Sequence, residues 1–162
     1  KRIGVIGTYA TINNNAYSEK LKSIDPTAFV FEKPCPLFVP LAEEGWTNHE
    51  ATKIVAEEYL NELRELDIDT VILGCTHYPI LTDVIQKVLG EDICLIDSGT
   101  ASSLVVEEYL AGSGLLNDSN NQSKQEYFVS DVPSRFKDVA ERFLGREIEN
   151  IDKVDLEYLT GQ

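Results

Sequence analysis

The run Gly74–Pro79, with the sequence GCTHYP, places a thiol, a hydroxyl and an imidazole at three consecutive positions, Cys75, Thr76 and His77. It directly follows the apolar stretch Thr70–Leu73, whose pattern is typical of a buried strand. Open α/β sheets bind ligands at the carboxyl ends of their strands. If a helix begins at the end of the run, its positive first turn lowers the pKa of the thiol, and the imidazole can bond to the sulfur. The run therefore predicts a reactive thiolate.

The chain has three cysteines, and they differ in their neighbours. The alternative for Cys75 is that it only packs in the core, as free cysteine commonly does. We expect that packing role for Cys94, inside the apolar run Ile93–Ile96, and for Cys35, between two prolines. An odd number of cysteines without disulfide spacing indicates a reducing compartment.

A metal site is not expected. The spacing between Cys75 and His77 does not match that of paired zinc ligands. The other histidine, His49, stands near a predicted helix start that we expect Thr47 or Asn48 to cap.

Two adjacent carboxylates, Glu43 and Glu44, end the apolar run Pro36–Ala42. A carboxylate in this position could act as a general acid or base, or orient a histidine. Adjacent glutamates are also common on solvated surfaces, so this signal is weak when taken alone.

A glycine-containing turn, Gly7–Thr11, follows the first predicted strand. The hydroxyls of Thr8 and Thr11, with the N–H groups of the turn, could hold a carboxylate or a phosphate. The turn lacks the GxGxxG nucleotide fingerprint, so a purely structural turn is the alternative.

Strand-like and helix-like patterns alternate along most of the chain and predict an α/β fold, a parallel sheet flanked by helices. The predicted strands are Arg2–Ile6, Ala28–Phe31, Thr70–Leu73, Ile93–Ile96 and Tyr127–Val129. The predicted helices are Asn14–Ser23, Thr47–Leu66, Ile80–Leu89, Ala101–Leu110 and Arg135–Leu144. A loop is predicted at Pro34–Pro40, an exposed linker at Ser113–Gln125 and a solvated acidic tail at Glu147–Glu157.

Composition and charge limit the classes of partner. The 162 residues include 14 Lys and Arg against 28 Asp and Glu, a formal net charge of -14. This charge repels nucleic acid and anionic membranes, and an anionic substrate would have to be held by hydroxyls and N–H groups. Without a membrane-spanning run or a signal peptide, we predict a cytoplasmic protein. The chain contains no methionine, and we expect it to be part of a longer protein.

Four motifs follow one another along the chain: GTYAT, CPLFVPLAEEG, DTVILGCTHYP and LIDSG. In this order they resemble the C-terminal part of the glutamate racemases, within the aspartate/glutamate racemase family. The resemblance extends from Ile3 to about Leu144 and implies one lobe of a two-lobe, pseudo-symmetric enzyme. It assigns residues 1–98 to the C-terminal catalytic lobe. It assigns residues 99–162 to a crossover helix, a linker and a segment that completes the missing N-terminal lobe.

The resemblance implies cofactor-independent racemisation of L- and D-glutamate by two cysteines, supplying D-glutamate for peptidoglycan. Cys75 matches the second of the two cysteines, and His77 matches the histidine that assists it and contacts the substrate. Glu43 matches the family's acidic residue, with Glu44 left open because the register is uncertain by one position. Thr76 matches a substrate-binding position, and Thr8 and Thr11 are candidate partners for the substrate carboxylate.

The implied partner is glutamate, with no nucleic acid and no membrane, and we expect the full-length protein to be a homo-oligomer. The family's first catalytic cysteine has no match in this sequence, so we expect the chain alone to have negligible activity. An aspartate racemase and a non-catalytic binding or assembly module are the alternatives. A hydrolase that uses Cys75 as nucleophile and His77 as base is also chemically possible.

Overall fold

Strands and helices alternate through residues 1–117 and 124–155, which a computed structural model describes. The strands are β1 (Arg2–Gly7), β2 (Phe29–Pro34), β3 (Thr70–Leu73), β4 (Cys94–Asp97), β5 (Tyr127–Val129) and β6 (Ile151–Lys153). The α-helices are α1 (Tyr9–Asn13), α2 (Ala16–Ile24), α3 (Phe38–Glu43), α4 (Glu50–Glu65), α5 (Thr82–Leu89), α6 (Ser98–Gly112) and α7 (Pro133–Leu144). A 3-10 helix, Tyr78–Leu81, leads into α5. The chain divides into two compact units, Lys1–Leu116 and Asn117–Gln162.

The first unit contains a four-stranded parallel sheet in the order β2-β1-β3-β4. From β1 the chain goes to β2 on one side and then to β3 and β4 on the other side, so a topological switch point lies between β1 and β3. At such a switch point the loops that leave the two strands diverge and open a crevice at the carboxyl edge. The predicted α/β fold with a parallel sheet is confirmed.

Side chains alternate between the two faces of this sheet, and each face has its own core. Val71 and Leu73 enter the larger core, whereas Ile72 between them packs with the smaller one. The larger core also holds buried residues from α3, α4, the 3-10 helix and α5: Phe38, Ala42, Ala56, Leu60, Leu63, Tyr78, Leu81 and Ile85. The smaller core joins β1 to α1 and α2 through Ile3, Val5, Ala28, Ile12, Tyr17 and Leu21.

The β4 edge of the sheet is poorly covered. Ile96 on β4 is 38% exposed, and α6 leaves Leu104 62% and Tyr109 69% exposed. Cys94 is exposed as well, so the prediction that it packs in the core is wrong. The reason is that α1 and α2 pack on β1 and β2 and do not extend to the edge strand. Cys35 is fully buried, which confirms its predicted packing role.

The predicted loop at Pro34–Pro40 is wrong, because α3 begins at Phe38. Pro40 is the third residue of this helix, within the first turn, where a backbone N–H has no partner inside the helix and its absence costs little. Near the start of the chain, the short helix α1 was not predicted. It directly precedes α2, which corresponds to the predicted helix Asn14–Ser23.

The predicted cap of α4 is also wrong. His49 itself is the N-cap, and its Nδ1 accepts a hydrogen bond from the Ala51 N–H at 3.1 Å. The imidazole therefore does what a Ser, Thr, Asn or Asp side chain does at most helix starts.

The second unit pairs β5 with β6 in parallel, and α7 packs on β6. The strand and helix predicted here are confirmed, with α7 beginning two residues earlier than expected. The predicted tail was expected to be a solvated edge, but Ile148 is buried and Ile151–Lys153 form β6. Residues 156–157 of this tail lie outside the described residues. Residues 118–123 of the predicted linker lie outside the described residues.

Within the described part of the chain, none of the helices is both long enough and apolar enough to cross a bilayer.

Burial of Cys35 makes the free energy of unfolding depend on alkaline pH. Burial raises the pKa of its thiol from 9.0 to about 12. Between these values the folded chain keeps a proton that the unfolded chain has lost, so stability falls as pH rises. The expected loss is about 1 kcal/mol at pH 10 relative to pH 8. Urea unfolding at the two pH values should show that loss, and Cys35→Ala should reduce it.

Cys94→Ala is the matched control, because this exposed thiol should leave the pH dependence unchanged. Burial also raises the pKa of Tyr78, so a residual slope should remain in Cys35→Ala. An identical pH dependence in Cys35→Ala and the parent chain would contradict the assignment.

Candidate active site

The sharp turn after β3 holds Cys75 at the carboxyl edge of the sheet. The Gly74 N–H donates to the Ile6 carbonyl at 2.8 Å, which extends the pairing of β1 and β3 by one residue. Cys75 is half-buried, and its carbonyl accepts from the Tyr78 N–H at 3.1 Å. The thiol therefore lies next to the switch point, at the start of the 3-10 helix.

Burial raises the pKa of the Cys75 thiol above its ordinary value. The backbone N–H groups of His77 and Tyr78 act in the opposite direction, because they favour the thiolate. The predicted lowering of this pKa is wrong. A four-residue 3-10 helix follows the cysteine in place of a longer α-helix, and the loss of hydration outweighs its N–H groups. Near neutral pH the group is therefore a protonated thiol.

Cys75, His77 and Glu43 form a continuous series of polar groups. The Cys75 Sγ lies 3.9 Å from His77 Nδ1, and His77 Nε2 lies 3.4 Å from Glu43 Oε1. The side chains of His77 and Glu43 are each 28% exposed. An imidazole between a thiol and a carboxylate can exchange a proton with the one and be held in orientation by the other.

The structure distinguishes the two adjacent glutamates. Glu43 is the last residue of α3, and its carboxylate faces His77. Glu44 is exposed and forms the C-cap of the helix.

Thr8 and Thr11 meet in the turn after β1. Thr8 caps α1, accepting from the Thr11 N–H at 3.4 Å, and the two hydroxyl oxygens lie 3.2 Å apart. A Cβ built on Gly74 would lie 3.4 Å from Thr11 Cγ2, so this turn adjoins the turn that carries Cys75. Thr76, next to the cysteine, is exposed at the same edge.

Tyr78 is a site residue that the sequence analysis did not single out. It is fully buried, and its hydroxyl donates to the Cys35 carbonyl at 2.8 Å. Its ring meets Phe38 edge to face, with the centroids 5.3 Å apart. An aromatic residue with a polar tip, directly after a reactive motif, is the signal that could have identified it.

Asp97, in the turn after β4, has a structural role. Its carboxylate accepts from the Gly99 and Thr100 N–H groups at 2.9 and 3.0 Å and so caps α6. The Thr100 hydroxyl also donates to it and holds the pKa of this carboxyl below its usual range. Within residues 1–117 and 124–155 no group of three or more His, Cys, Asp or Glu side chains is arranged to hold a metal ion.

The sequence matches known families and relatives. A model of the Asp/Glu/Hydantoin racemase family matches residues 1–106. The glutamate racemase of Geobacter metallireducens is 47% identical over 156 residues, which are 96% of this chain and 58% of that relative. That of Chlorobaculum tepidum is 47% identical over 155 residues, covering 96% of this chain and 57% of the relative. The chain thus spans less than two thirds of the curated relatives it matches.

Solved structures match the fold. The glutamate racemase of Francisella tularensis in complex with D-glutamate has a TM-score of 0.88 and 38% identity, covering 97% of this chain and 59% of that chain. An isoform of glutamate racemase from Bacillus anthracis has a TM-score of 0.87 and 37% identity, covering 96% and 57%.

The absence of a side chain at Gly74 is required by the close approach of β1. A Cβ there would lie 2.9 Å from the Ile6 carbonyl oxygen and 3.3 Å from the Tyr17 ring. Gly74→Ala should therefore lower the free energy of unfolding by about 1 to 3 kcal/mol. Urea denaturation measures this loss.

Gly112→Ala is the control, since nothing lies within 4 Å of a Cβ at that helical position. It should stabilise the chain by up to about 1 kcal/mol. Equal effects of the two substitutions would show that the contact with Ile6 is not restrictive.

Proposed function

Because the chain belongs to the Asp/Glu/hydantoin racemase family, we propose that the full-length protein that contains it interconverts L- and D-glutamate. The reaction proceeds without a cofactor, by acid and base chemistry of two thiols. The observation that carries the proposal is the series Cys75, His77 and Glu43 at the carboxyl end of β3. Relatives named glutamate racemase at 47% identity, and a structural neighbour that holds D-glutamate, support glutamate as the substrate.

Racemisation needs a base on one face of the α-carbon and an acid on the other. A thiolate takes the α-proton, the C–H electron pair stays on the substrate as a carbanion, and a thiol on the opposite face gives a proton to that carbon. Burial keeps Cys75 protonated, so it starts as the acid in one direction and, once deprotonated, is the base in the other. Each turnover exchanges the protonation states of the two thiols.

The second thiol comes from outside residues 1–162. Cys35 is fully buried, with its Sγ 3.7 Å from the Lys33 carbonyl. Cys94 is the first residue of β4, and the amino end of a strand in a parallel sheet lies at the edge opposite Cys75. This chain therefore serves one face of the substrate, and we expect it to be inactive alone.

His77 and Glu43 assist the thiol. When Cys75 has given its proton to the substrate carbon, His77 Nδ1 lies beside the thiolate that remains, and an imidazolium there reprotonates the sulfur between turnovers with a proton taken from solvent. Glu43 stabilises that imidazolium and holds the ring in position.

The substrate carboxylates bind to neutral donors. Thr76, beside the thiol, and the hydroxyls of Thr8 and Thr11 across the switch point supply them. Hydroxyl and N–H donors suit a dianionic substrate in a chain whose own net charge is -14.

Residues 99–162 comprise a crossover helix, a linker and a segment that completes the other lobe of the full-length enzyme. The exposure of Leu104, Val105 and Tyr109 on α6 supports this assignment, because such a row of apolar side chains commonly marks a covered interface. The D-glutamate formed serves peptidoglycan synthesis. We expect the full-length enzyme to be a homo-oligomer in the cytoplasm.

Removing the Cys75 thiol tests the proposal. In the full-length protein, Cys75→Ala should lower racemisation in both directions by at least about 1000-fold, because acid and base catalysis on one face is lost. Circular dichroism of L- and D-glutamate solutions follows the reaction. The 162-residue chain alone should show no sustained loss of optical rotation.

Cys94→Ala is the matched control and should retain the parental rate, since this exposed thiol is remote from the site. Unchanged turnover in Cys75→Ala would favour a binding or assembly module. Parallel assays with aspartate decide the substrate, and a preference for aspartate would contradict the assignment to glutamate.

The two adjacent glutamates provide a second matched pair. Glu43→Gln should lower kcat by about 10- to 100-fold, because the neutral amide no longer stabilises the His77 imidazolium. Glu44→Gln should leave kcat within about twofold, since that side chain is exposed and lies outside the series. Equal losses in both variants would argue against a specific role for Glu43.

A further inference from the structure

A buried hydrogen bond joins the end of β2 to the turn that carries the thiol. The Tyr78 hydroxyl donates to the Cys35 carbonyl at 2.8 Å, across 43 positions of sequence. Both residues are 0% exposed. A buried phenol without a partner is unfavourable, so this bond restrains where the residue can lie.

The same tyrosine belongs to a row of three aromatic rings. Phe38, the first residue of α3, meets Tyr78 at 5.3 Å and Tyr59 on α4 at 5.4 Å, both edge to face. The Tyr59 hydroxyl accepts from the Leu37 N–H at 3.3 Å. The loop between β2 and α3 is therefore held by two phenols, of which one also belongs to the Cys75 turn.

The backbone of Tyr78 contacts the cysteine directly. Its N–H donates to the Cys75 carbonyl at 3.1 Å and, with the His77 N–H, also favours the thiolate. Tyr78 is therefore bonded to the same turn in which the Cys75 Sγ lies 3.9 Å from His77 Nδ1.

We propose that Tyr78 is a positioning residue, whose bond to the Cys35 carbonyl holds the turn so that the Cys75 sulfur stays beside the His77 imidazole. The inference rests on the proposed proton transfer at Cys75, which needs a thiol that ionises reproducibly next to His77. Tyr78 does not touch the substrate. It acts by fixing the backbone that the thiol depends on.

The pH dependence of Cys75 reactivity reports this role. The titratable side chain beside the thiol is His77, with Glu43 behind it. Cys35 and the half-buried Tyr59 lie near the Tyr78 phenol, which stays uncharged because burial raises its pKa. Replacing the Tyr78 hydroxyl changes none of these charges near neutral pH. A shift in the reactivity profile would therefore come from the geometry of the turn around the sulfur.

The experiment measures alkylation of Cys75 by iodoacetamide against pH, in the 162-residue chain with Cys94→Ser so that one accessible thiol remains. Tyr78→Phe should raise the midpoint by about 0.5 pH unit and slow the reaction at pH 8 about threefold, because hydrogen bonds to the thiolate weaken. Tyr59→Phe, which removes a phenol from the same aromatic row, should leave the midpoint within about 0.2 pH unit, because its hydroxyl does not hold the turn.

A midpoint that is unchanged in Tyr78→Phe, or that shifts equally in Tyr59→Phe, would overturn the proposal. Phe38→Leu keeps the phenol and its bond but removes the ring contact, and it covers the case in which Tyr78→Phe does not fold. It should lower the urea midpoint of unfolding without moving the alkylation profile. A shifted profile in that variant would show that general loosening of the core controls the thiol, and would also overturn the proposal.

This test is independent of the proposed function, because alkylation requires no racemisation. Failure of the Tyr78 proposal would leave the glutamate assays unaffected. Inactive full-length protein with the predicted alkylation shift would instead reject the function while retaining the positioning role.

Discussion

The backbone contact between Ile6 and Gly74 is the constraint on which the site depends. Parallel pairing brings the ends of β1 and β3 side by side, and the bond from the Gly74 N–H to the Ile6 carbonyl continues it into the turn. There is no room for a side chain at Gly74, and because the glycine has none, Thr11 packs directly against the turn. The hydroxyls in the turn after β1 and the thiol in the turn after β3 thus lie at the same edge of the sheet, although they are far apart in sequence.

Two opposing effects act on the thiol at that edge. Removal from water disfavours the charged form, whereas two backbone N–H groups favour it, and burial has the larger effect. In the proposed racemisation, a thiol that is protonated at rest gives its proton to the substrate carbon in one direction and, as the thiolate, takes the α-proton in the other. The neighbouring imidazole can exchange a proton with the sulfur between these two states.

Local features of the fold were predictable from sequence, and features that depend on distant packing were not. The strand at Thr70–Leu73 and the grouping of Cys75 with His77 are properties of adjacent residues, and the structure has both. The choice between Glu43 and Glu44 depends on the rotation of α3 about its axis, and no pattern in a proline-rich stretch indicates that helix.

Burial was the other quantity that the sequence could not supply. Cys94 lies in an apolar run but on an edge strand, so its exposure depends on which helices cover that edge. The pKa of Cys75 depends on how much water the folded chain removes, whereas the sequence shows only that a helix follows. The bond of Tyr78 to the Cys35 carbonyl spans 43 positions, and no local pattern reveals it.

The raised pKa of Cys75 also affects its chemical durability. Peroxides oxidise the thiolate, and the products beyond sulfenic acid are in general not reversed. A cysteine that is half-buried and protonated at rest presents little thiolate to such oxidants. The same desolvation that makes proton removal harder therefore shields the sulfur from irreversible oxidation.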